Sequence, residues 1–507
     1  MIKNKIKSLE EVEKIILKNK KKKKKIILSH GVFDLLHIGH INHFEEAKKL
    51  GDILIVSITA KKYVKKIPGR PIFNDTERLK ALSSLEYVDY VICNHDYTSI
   101  NLIKKIKPNI YCKGPDYIDK EKDLTKNISK EIKAVKSVMG KIVFTSGKTY
   151  SSSKLLNQNF SQLSENTKTF IKEIKKKTSF EQLQKKLDML KNQKILIIGE
   201  SIVDEYIFCE GLGKSGKESV LSIRKKIAKK YLGGVLSVAQ NCFTFSKNIT
   251  VATYLGNNEK LNSFIKQKLN NEINFKYIKK INSPTIHKLR YLDIVDSRKL
   301  IGVYDINDDN LSNIEEKQFL KLLNKEIIKN DLIIVLDYGH GLLTEKISKL
   351  ISGKNKFTSL NAQINSSNVG FHNLGKYKNI DSLTINATEL RHEMRKRDGN
   401  VVDLGKKLKN SQNIKWLTIT QGQAGAIMIN NQNKVIIAPA FSNNVVDKIG
   451  AGDTLLGLLS MCLKSKLDEN EALFLSSVAA GISTSNYANS TTVNKFEILN
   501  HIKYYLK

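Results

Sequence analysis

The chain has 507 residues, 41% of them hydrophobic, and a formal net charge of +35. That length exceeds one ordinary core and predicts two or three domains, while the absence of any apolar run of roughly 18 residues argues against a membrane span. Five scattered cysteines without a C-x-x-C pair exclude a disulfide framework or zinc site and point to reduced thiols in a cytoplasm. The opening "MIKNKIKSLEEVEKII" has no apolar stretch or small-residue cleavage site, so secretion is not expected.

Residues 1–25 read as a basic N-terminal extension ending in the run Lys20 to Lys25. Lysines continue along the whole chain beside abundant Asn and Ile, with only six prolines and one tryptophan. This is the mark of a codon-biased, AT-rich genome. No aromatic-interleaved basic motif accompanies it, so neither nucleic acid nor membrane is expected as a partner. A basic surface still favours phosphorylated small substrates.

From 26 to 157, short apolar runs alternate with amphipathic stretches. "KIILSHG", "DILIVSIT", "VDYVIC" and "PNIYCKG" read as buried strands. Between them, "HINHFEEAKKL" puts Ile41, Phe44, Ala47 and Leu50 on one helical stripe, and "NDTERLKALSSL" opens on a capping-type Asn-Asp pair. The alternation predicts a parallel, doubly wound sheet. Residues 158–190 are polar and lysine-rich and read as a helical linker. A fresh strand opens at "KILIIGESIVDEY", and αβ alternation resumes through "DLIIVLDYGHGLL", "SLTINATEL", "WLTITQGQAGAIMI" and "NKVIIAPA". The expectation is α/β throughout, with two doubly wound domains at 26–157 and 191–507.

The strand Ile26 to Leu28 runs into Gly31, a turn, and a helix beginning near Gly39. In such folds ligands lie at the carboxyl ends of strands, where helix N-termini offer N–H groups to phosphate. His37 and His40 lack the spacing of a helical metal pair, and two histidines clustered around a glycine at this turn are poor candidates for buried structural groups. The stretch "GVFDLLHIGH" is similar to the G-x-F-D-x-x-H-x-G-H signature of cytidylyltransferase-like nucleotidyltransferases. The similarity continues through "LGD", "RPIFNDTERLKALSSLEYVDYV" and "KGPDY". It implies a domain in which a phosphorylated small molecule attacks the α-phosphorus of an NTP and pyrophosphate leaves, with catalysis by positioning and charge stabilisation. On that resemblance His37 and His40 donate to the nucleotide phosphates, and Gly31, Phe33 and Gly39 let the backbone approach the nucleotide. Lys113, just past a strand end, is placed to bind phosphate as a point charge, and Asp34 holds the turn. Ser151, Ser152 and Ser153 stand where relatives open a helix over the triphosphate. The arginine usual there in cytidylyl members is absent, which leaves ATP or CTP open as donor.

In "VVDKIGAGDTLLGLLS", Gly450, Ala451 and Gly452 form a small-residue turn before the apolar helix Thr454 to Leu463. Such a turn makes an anion hole for a γ-phosphoryl group, and Asp453 is poised to take a proton from an acceptor hydroxyl. This resembles carbohydrate kinases of the ribokinase and minor phosphofructokinase type. Supporting matches are "YLGGVLSVAQN" (Gly233, Gly234, Asn241), "DYGHG" (Asp337 to Gly341), "INATE" (Asn386, Glu389) and "TQGQAG" (Gly422, Gly425). The resemblance implies that Asn386 and Glu389 organise Mg²⁺, and that Gly422 and Gly425 line the ATP. It also implies that Gly233, Gly234 and Asn241 meet the sugar. The opening "GESIVDEYIFCEGLGKSGKESVL" is most similar to the heptose-phosphate kinase branch, with Asp204 as a sugar-hydroxyl ligand. Three positions depart from that pattern. Ser237 replaces an Asn, "LNAQ" at 360–363 replaces a D-P-K strand end, and Glu200 replaces an Asp. The departures fall on sugar and phosphate contacts, which implies a changed sugar.

Kinase plus nucleotidyltransferase on one chain implies a short route to a nucleotide sugar. The pair resembles the bifunctional heptose-phosphate kinase and heptose-1-phosphate adenylyltransferase of bacterial surface-polysaccharide synthesis, with domain order reversed and a homodimer expected. The rival enzyme reading is a cytidylyltransferase for glycerol phosphate or another polyol phosphate, carrying a non-catalytic kinase-like domain. The non-enzyme rival is a basic nucleic-acid-associated protein.

Overall fold

The computed structural model describes residues 5–64, 71–114, 127–146, 163–353, 355–364, 367–370, 373–442 and 445–506. They form two compact units, Met1–Leu163 and Ser164–Lys507.

In the first unit, β1 (Ile26–Gly31), β2 (Ile53–Thr59), β3 (Tyr90–Asn94), β4 (Ile110–Lys113) and β5 (Lys141–Phe144) form one sheet in the order β3-β2-β1-β4-β5. All its pairings are parallel. Alternate side chains serve opposite faces. Ile26 and Leu28 pack with Tyr111 and Ile103 on one side, and Ile27 packs with Phe44, Ala47 and Leu54 on the other. Burial on both faces is why these strands appear as continuous apolar runs.

The N-terminal segment corrects the expectation of an extension. Helix Leu9–Lys21 opens on a Ser8–Glu11 capping box, and Val12 and Ile16 are buried in the same core as Ile26. Ile6 bridges Val91 in parallel. The lysines face water while the apolar stripe beneath them completes the sheet's cover.

The second unit begins with helices Glu165–Lys177 and Phe180–Met189, which fold onto this unit instead of linking loosely. Phe170 lies 6.2 Å from both Phe441 and Phe474, and Leu183 and Leu187 are buried. The strands are β6 (Lys194–Gly199), β7 (Ser201–Lys214), β8 (Leu221–Gly234), β9 (Asn248–Leu255), β10 (Asn274–Lys279), β11 (His287–Asp293), β12 (Lys299–Asp305), β13 (Leu332–Asp337), β14 (Phe357–Ala362), β15 (Ser382–Asn386), β16 (Trp416–Thr420), β17 (Ala426–Ile429) and β18 (Val435–Ala438). Nine of them make a sheet ordered β10-β9-β6-β13-β14-β15-β16-β17-β18. It is parallel as far as β16 and antiparallel beyond. The remaining four form a second sheet, β12-β11-β7-β8, which the sequence patterning did not announce.

Among the described residues no helix is long and apolar enough to cross a membrane. All five cysteines are free thiols.

Two candidate active sites

In the first unit the chain leaves the central strand β1 at Gly31. It pairs outward through β2 and β3, and returns on the other side of β1 as β4. A crevice therefore opens at the carboxyl ends of β1 and β4. His37 caps helix Ile38–Lys49, with φ −143° and ψ 171°, and its Nδ1 accepts the Gly39 N–H at 3.1 Å. An accepting Nδ1 places the proton of neutral His37 on Nε2, so the ring presents a donor away from the helix. His40 stacks on His37 with centroids 3.9 Å apart, and Phe33 meets His40 edge-on at 5.3 Å.

Phe33 holds this array from a left-handed backbone, φ 47°, rare for a bulky residue. Its ring folds over Gly31, where a Cβ would come within 2.9 Å of the ring. Gly31 is thus required by Phe33. Asp34 accepts the Phe73 N–H at 3.1 Å, in keeping with a turn-holding role. Arg78, which sequence reasoning missed, is buried and donates to Val32 O, Thr59 O and Asp75. It ties the loop after β1 to the end of β2 and to helix Asp75–Ser83. Its signal was the N-D-T-E capping box just before it.

The other histidines of this stretch are structural. His43 is buried between Ser29 Oγ (2.7 Å) and Thr145 Oγ1 (3.0 Å), and burial pushes its pKa down to about 4. His30 meets Ser57 and Thr59. Lys113 does end β4 beside the crevice, but it is buried against Glu131 at 3.1 Å. Glu131 also accepts from Ser99 at 2.6 Å. The free point charge expected of Lys113 is, in this arrangement, half of a buried ion pair. Ser151, Ser152 and Ser153 lie outside the described residues.

In the second unit, helix Ala451–Lys464 starts after Gly450 at φ 84°, where a Cβ would meet Asn489 Oδ1 at 2.2 Å. No side chain caps this end; Ala451 N–H reaches back to Lys448 O at 3.5 Å, and the Gly452 and Asp453 N–H groups remain available. A Cβ on Gly452 would meet nothing within 4 Å. Asp453 stands in that first turn. Burial pushes its pKa up to about 6, against the pull of a hydrogen bond from Tyr338 and the charge of Lys288.

Asp204 is buried and ion-paired to Arg290. A Cβ on Gly233 would sit 2.3 Å from the Asp204 carboxylate, so Gly233 leaves room for that group. Gly234, φ 59°, crosses against Glu200 O. Glu200 accepts the N–H groups of Tyr338 and His340 at 3.1 and 3.2 Å, clamping the turn after β13. Burial and nearby Asp337 push its pKa up to about 7. Asn241, expected to meet the sugar, is engaged within the fold. Its Nδ2 donates to Thr454 (3.1 Å) and its Oδ1 accepts from Val493 N (3.1 Å), so it anchors the helix bearing Asp453. Ser237 bonds back to Gly234 O.

Asn386 and Glu389 form a reciprocal capping box on helix Ala387–Glu393. The Asn386 carbonyl is engaged by two N–H groups, which leaves Glu389 as the group able to face an ion. Burial pushes Glu389 up to about 7, and Asp453 adds to this, the signature of a carboxylate that a cation would stabilise. Gly422 (φ 60°) and Gly425 (φ 93°) shape the turn between β16 and β17. Among the described residues no cluster of three or more His, Cys, Asp or Glu is built to hold a metal. Lys288 and Arg290 on β11 were also missed. Their signal was i, i+2 spacing on one strand face.

The first unit thus has a helix start capped by a histidine, and the second has one left without a side-chain cap. Residues 192–495 match the pfkB family of carbohydrate kinases, and the chain belongs to that family. Residues 28–158 match the cytidylyltransferase-like family, so a nucleotidyltransferase-like domain precedes the kinase domain. Over 138 residues the chain is 45% identical to the "Bifunctional protein HldE" of Aliarcobacter butzleri, covering 27% of this chain and 29% of the relative. Over 140 residues it is 41% identical to the protein of that name from Campylobacter concisus, with the same coverages of 27% and 29%. The chain thus spans under a third of these curated relatives. Escherichia coli phosphofructokinase-2 in complex with fructose-6-phosphate superposes with a TM-score of 0.50 at 15% identity, covering 62% of this chain and 100% of that one. That likeness is one of fold.

Proposed function

We propose that the chain makes an activated sugar in two reactions. The C-terminal unit phosphorylates a sugar or sugar phosphate with ATP. The N-terminal unit transfers a nucleotidyl group from ATP or CTP to a sugar phosphate, of heptose-1-phosphate type, and releases pyrophosphate. The observation that carries this reading is that each unit has its own chemically furnished helix N-terminus: stacked His37 and His40 in one, Asp453 beside an open glycine turn in the other.

In the first site the sugar phosphate oxygen attacks the α-phosphorus and the bond to pyrophosphate breaks in line. His37 Nε2–H and His40 donate to the phosphate oxygens as charge builds on them. In the second, Asp453 takes the proton of the acceptor hydroxyl while that oxygen attacks the γ-phosphorus and ADP departs. First-turn N–H groups at Gly452 and Asp453 receive the phosphoryl oxygens. Asp204 orients the sugar. Glu389, held by Asn386, fits Mg²⁺, which binds through one or two carboxylates together with substrate phosphates and neutralises them. The Tyr338–Asp453 contact and the open Gly452 speak for a working kinase site over a non-catalytic one.

A homodimer is part of this reading, supported by Leu212, Leu221, Ile227, Ile301 and Val303 exposed on the four-stranded sheet. A cytoplasmic location follows from the nucleotide substrates and free thiols, with no nucleic-acid or membrane partner. The test crosses ATP and CTP with a panel of sugars and sugar phosphates, scoring ADP, pyrophosphate and product mass. A nucleotide sugar is expected. Pyrophosphate release only with glycerol phosphate would overturn the sugar assignment.

A further inference from the structure

Buried cations normally meet an acceptor, because an ammonium group taken from water without one is costly. The second unit obeys this around its cleft. Arg290 pairs with Asp204, and Lys376 with Asp337 at 2.7 Å. Lys280 donates to Asn307 O, Asp309 O and His340 O. Lys288 is the exception. It is 9% exposed, and its ammonium has no hydrogen bond or ion pair among the described residues. It lies between two aromatic rings, Tyr304 and Tyr338, each with its centroid 5.8 Å away.

That placement joins it to the transfer site. Tyr338 and Asp453 lie close enough to shift each other's acidity, Lys288 lies over that same Tyr338 ring, and its charge reaches Asp453. Arg290, two residues along the same strand face, is already committed to Asp204. Lys288 is desolvated and sheathed by rings, and it is drawn by the charges of Asp204, Glu200 and Asp308 without touching any of them, so its ammonium has room for one contacting anion. The transferring phosphoryl group is an anion that passes this point.

We propose that Lys288 is a catalytic residue of the kinase reaction, its ammonium binding a non-bridging oxygen of the phosphoryl group in transit to the acceptor hydroxyl. This rests on the kinase reading above. The new bond joins the acceptor oxygen to the γ-phosphorus, the bond to ADP breaks, and the hydroxyl proton goes to Asp453. Lys288 stays protonated throughout and contributes charge in a low-dielectric setting, where it acts strongly.

The full-length protein with Mg²⁺, ATP and the acceptor panel provides the test. Lys288→Met should lower kcat for ADP formation by roughly 10²–10³-fold, with KM for ATP changed less than about threefold. Its thermal midpoint should hold or rise, because a desolvated charge without a contacting partner is gone. Lys288→Arg should recover part of kcat. Lys288→Met turning over like wild type overturns the proposal. So does a loss of turnover matched by a lowered thermal midpoint and no recovery in Lys288→Arg, which would mark a structural lysine. Wild-type protein forming no ADP with any acceptor overturns the kinase reading itself, and Lys288 falls with it.

Discussion

The two helix starts present the same resource, a histidine-capped or uncapped N-terminus, and furnish it in opposite ways. Around Gly31 to His40 the space is filled. Phe33 lies over Gly31, His37 bonds to the Gly39 N–H, and His40 stacks on His37. Around Gly450 to Asp453 it is kept empty, with no side-chain cap and nothing within 4 Å of a Cβ on Gly452. Side-chain donors must be packed into place beforehand, whereas backbone donors need only be left uncovered. In the proposed reactions the same contrast separates the chemistry, since one turn would donate protons to phosphate oxygens and the other would take one away.

The sharpest way to break the comparison is to remove one group from each turn. His40→Ala should cut pyrophosphate release by roughly 10²–10³-fold and leave ADP formation alone. Asp453→Asn should cut ADP formation by about 10²–10⁴-fold and leave pyrophosphate release alone. Loss of both activities in either variant would mean the sites are not independent.

Acidity should separate them next. Asp453 acts as a base only when ionised, and burial has pushed its pKa up to about 6. ADP formation, followed as kcat/KM, should therefore fall about tenfold per unit below about pH 6 and stay level above it. A profile level down to about pH 5 would remove Asp453 from the role. His43, pushed down to about 4, stays neutral through that window and imposes no matching limb on pyrophosphate release.

Smaller effects should follow from the glycines. Gly31→Ala forces a methyl against the Phe33 ring and should cost the first unit about 1–3 kcal/mol in denaturant unfolding. Gly452→Ala meets no atom and should leave stability unchanged or raise it by up to ~1 kcal/mol, while ADP formation drops because the methyl occupies space meant for phosphate. A Gly452→Ala variant with full kinase activity would show that the space is not used.

Much of the first unit was legible because a parallel sheet buried on both faces writes itself as apolar runs, and because "GVFDLLHIGH" fixes its turn. The four-stranded sheet was not. Arg224 to Lys230 of β8 are all exposed, so neither face leaves an apolar alternation to read. Lysine content also masked the stripe of Phe170, Ile171 and Ile174, and residues 158–190 looked like a tether. Composition hid Val12 and Ile16 in the same way. Partner choice was the other illegible layer. Lys113 finds Glu131 on a later helix, and Asn241 finds Thr454 and Val493 more than 200 positions away. Spacing along a chain does not encode such pairings.

Glu200 is the single residue between β6 and β7, and Gly234 is where β8 leaves the four-stranded sheet, paired there with Ser201. Both connections cross side by side, with Val235 N–H on Glu200 O at 3.2 Å, between glycines at φ 150° and 59°. Glu200 also grips the turn after β13, and β11, parallel to β7, carries Lys288 and Arg290 on the sheet that starts at this crossing. One buried side chain thus serves as a common keystone: a change at Glu200 is felt together by the strand crossing, by the turn after β13 and by the sheet that bears Asp204 and Arg290.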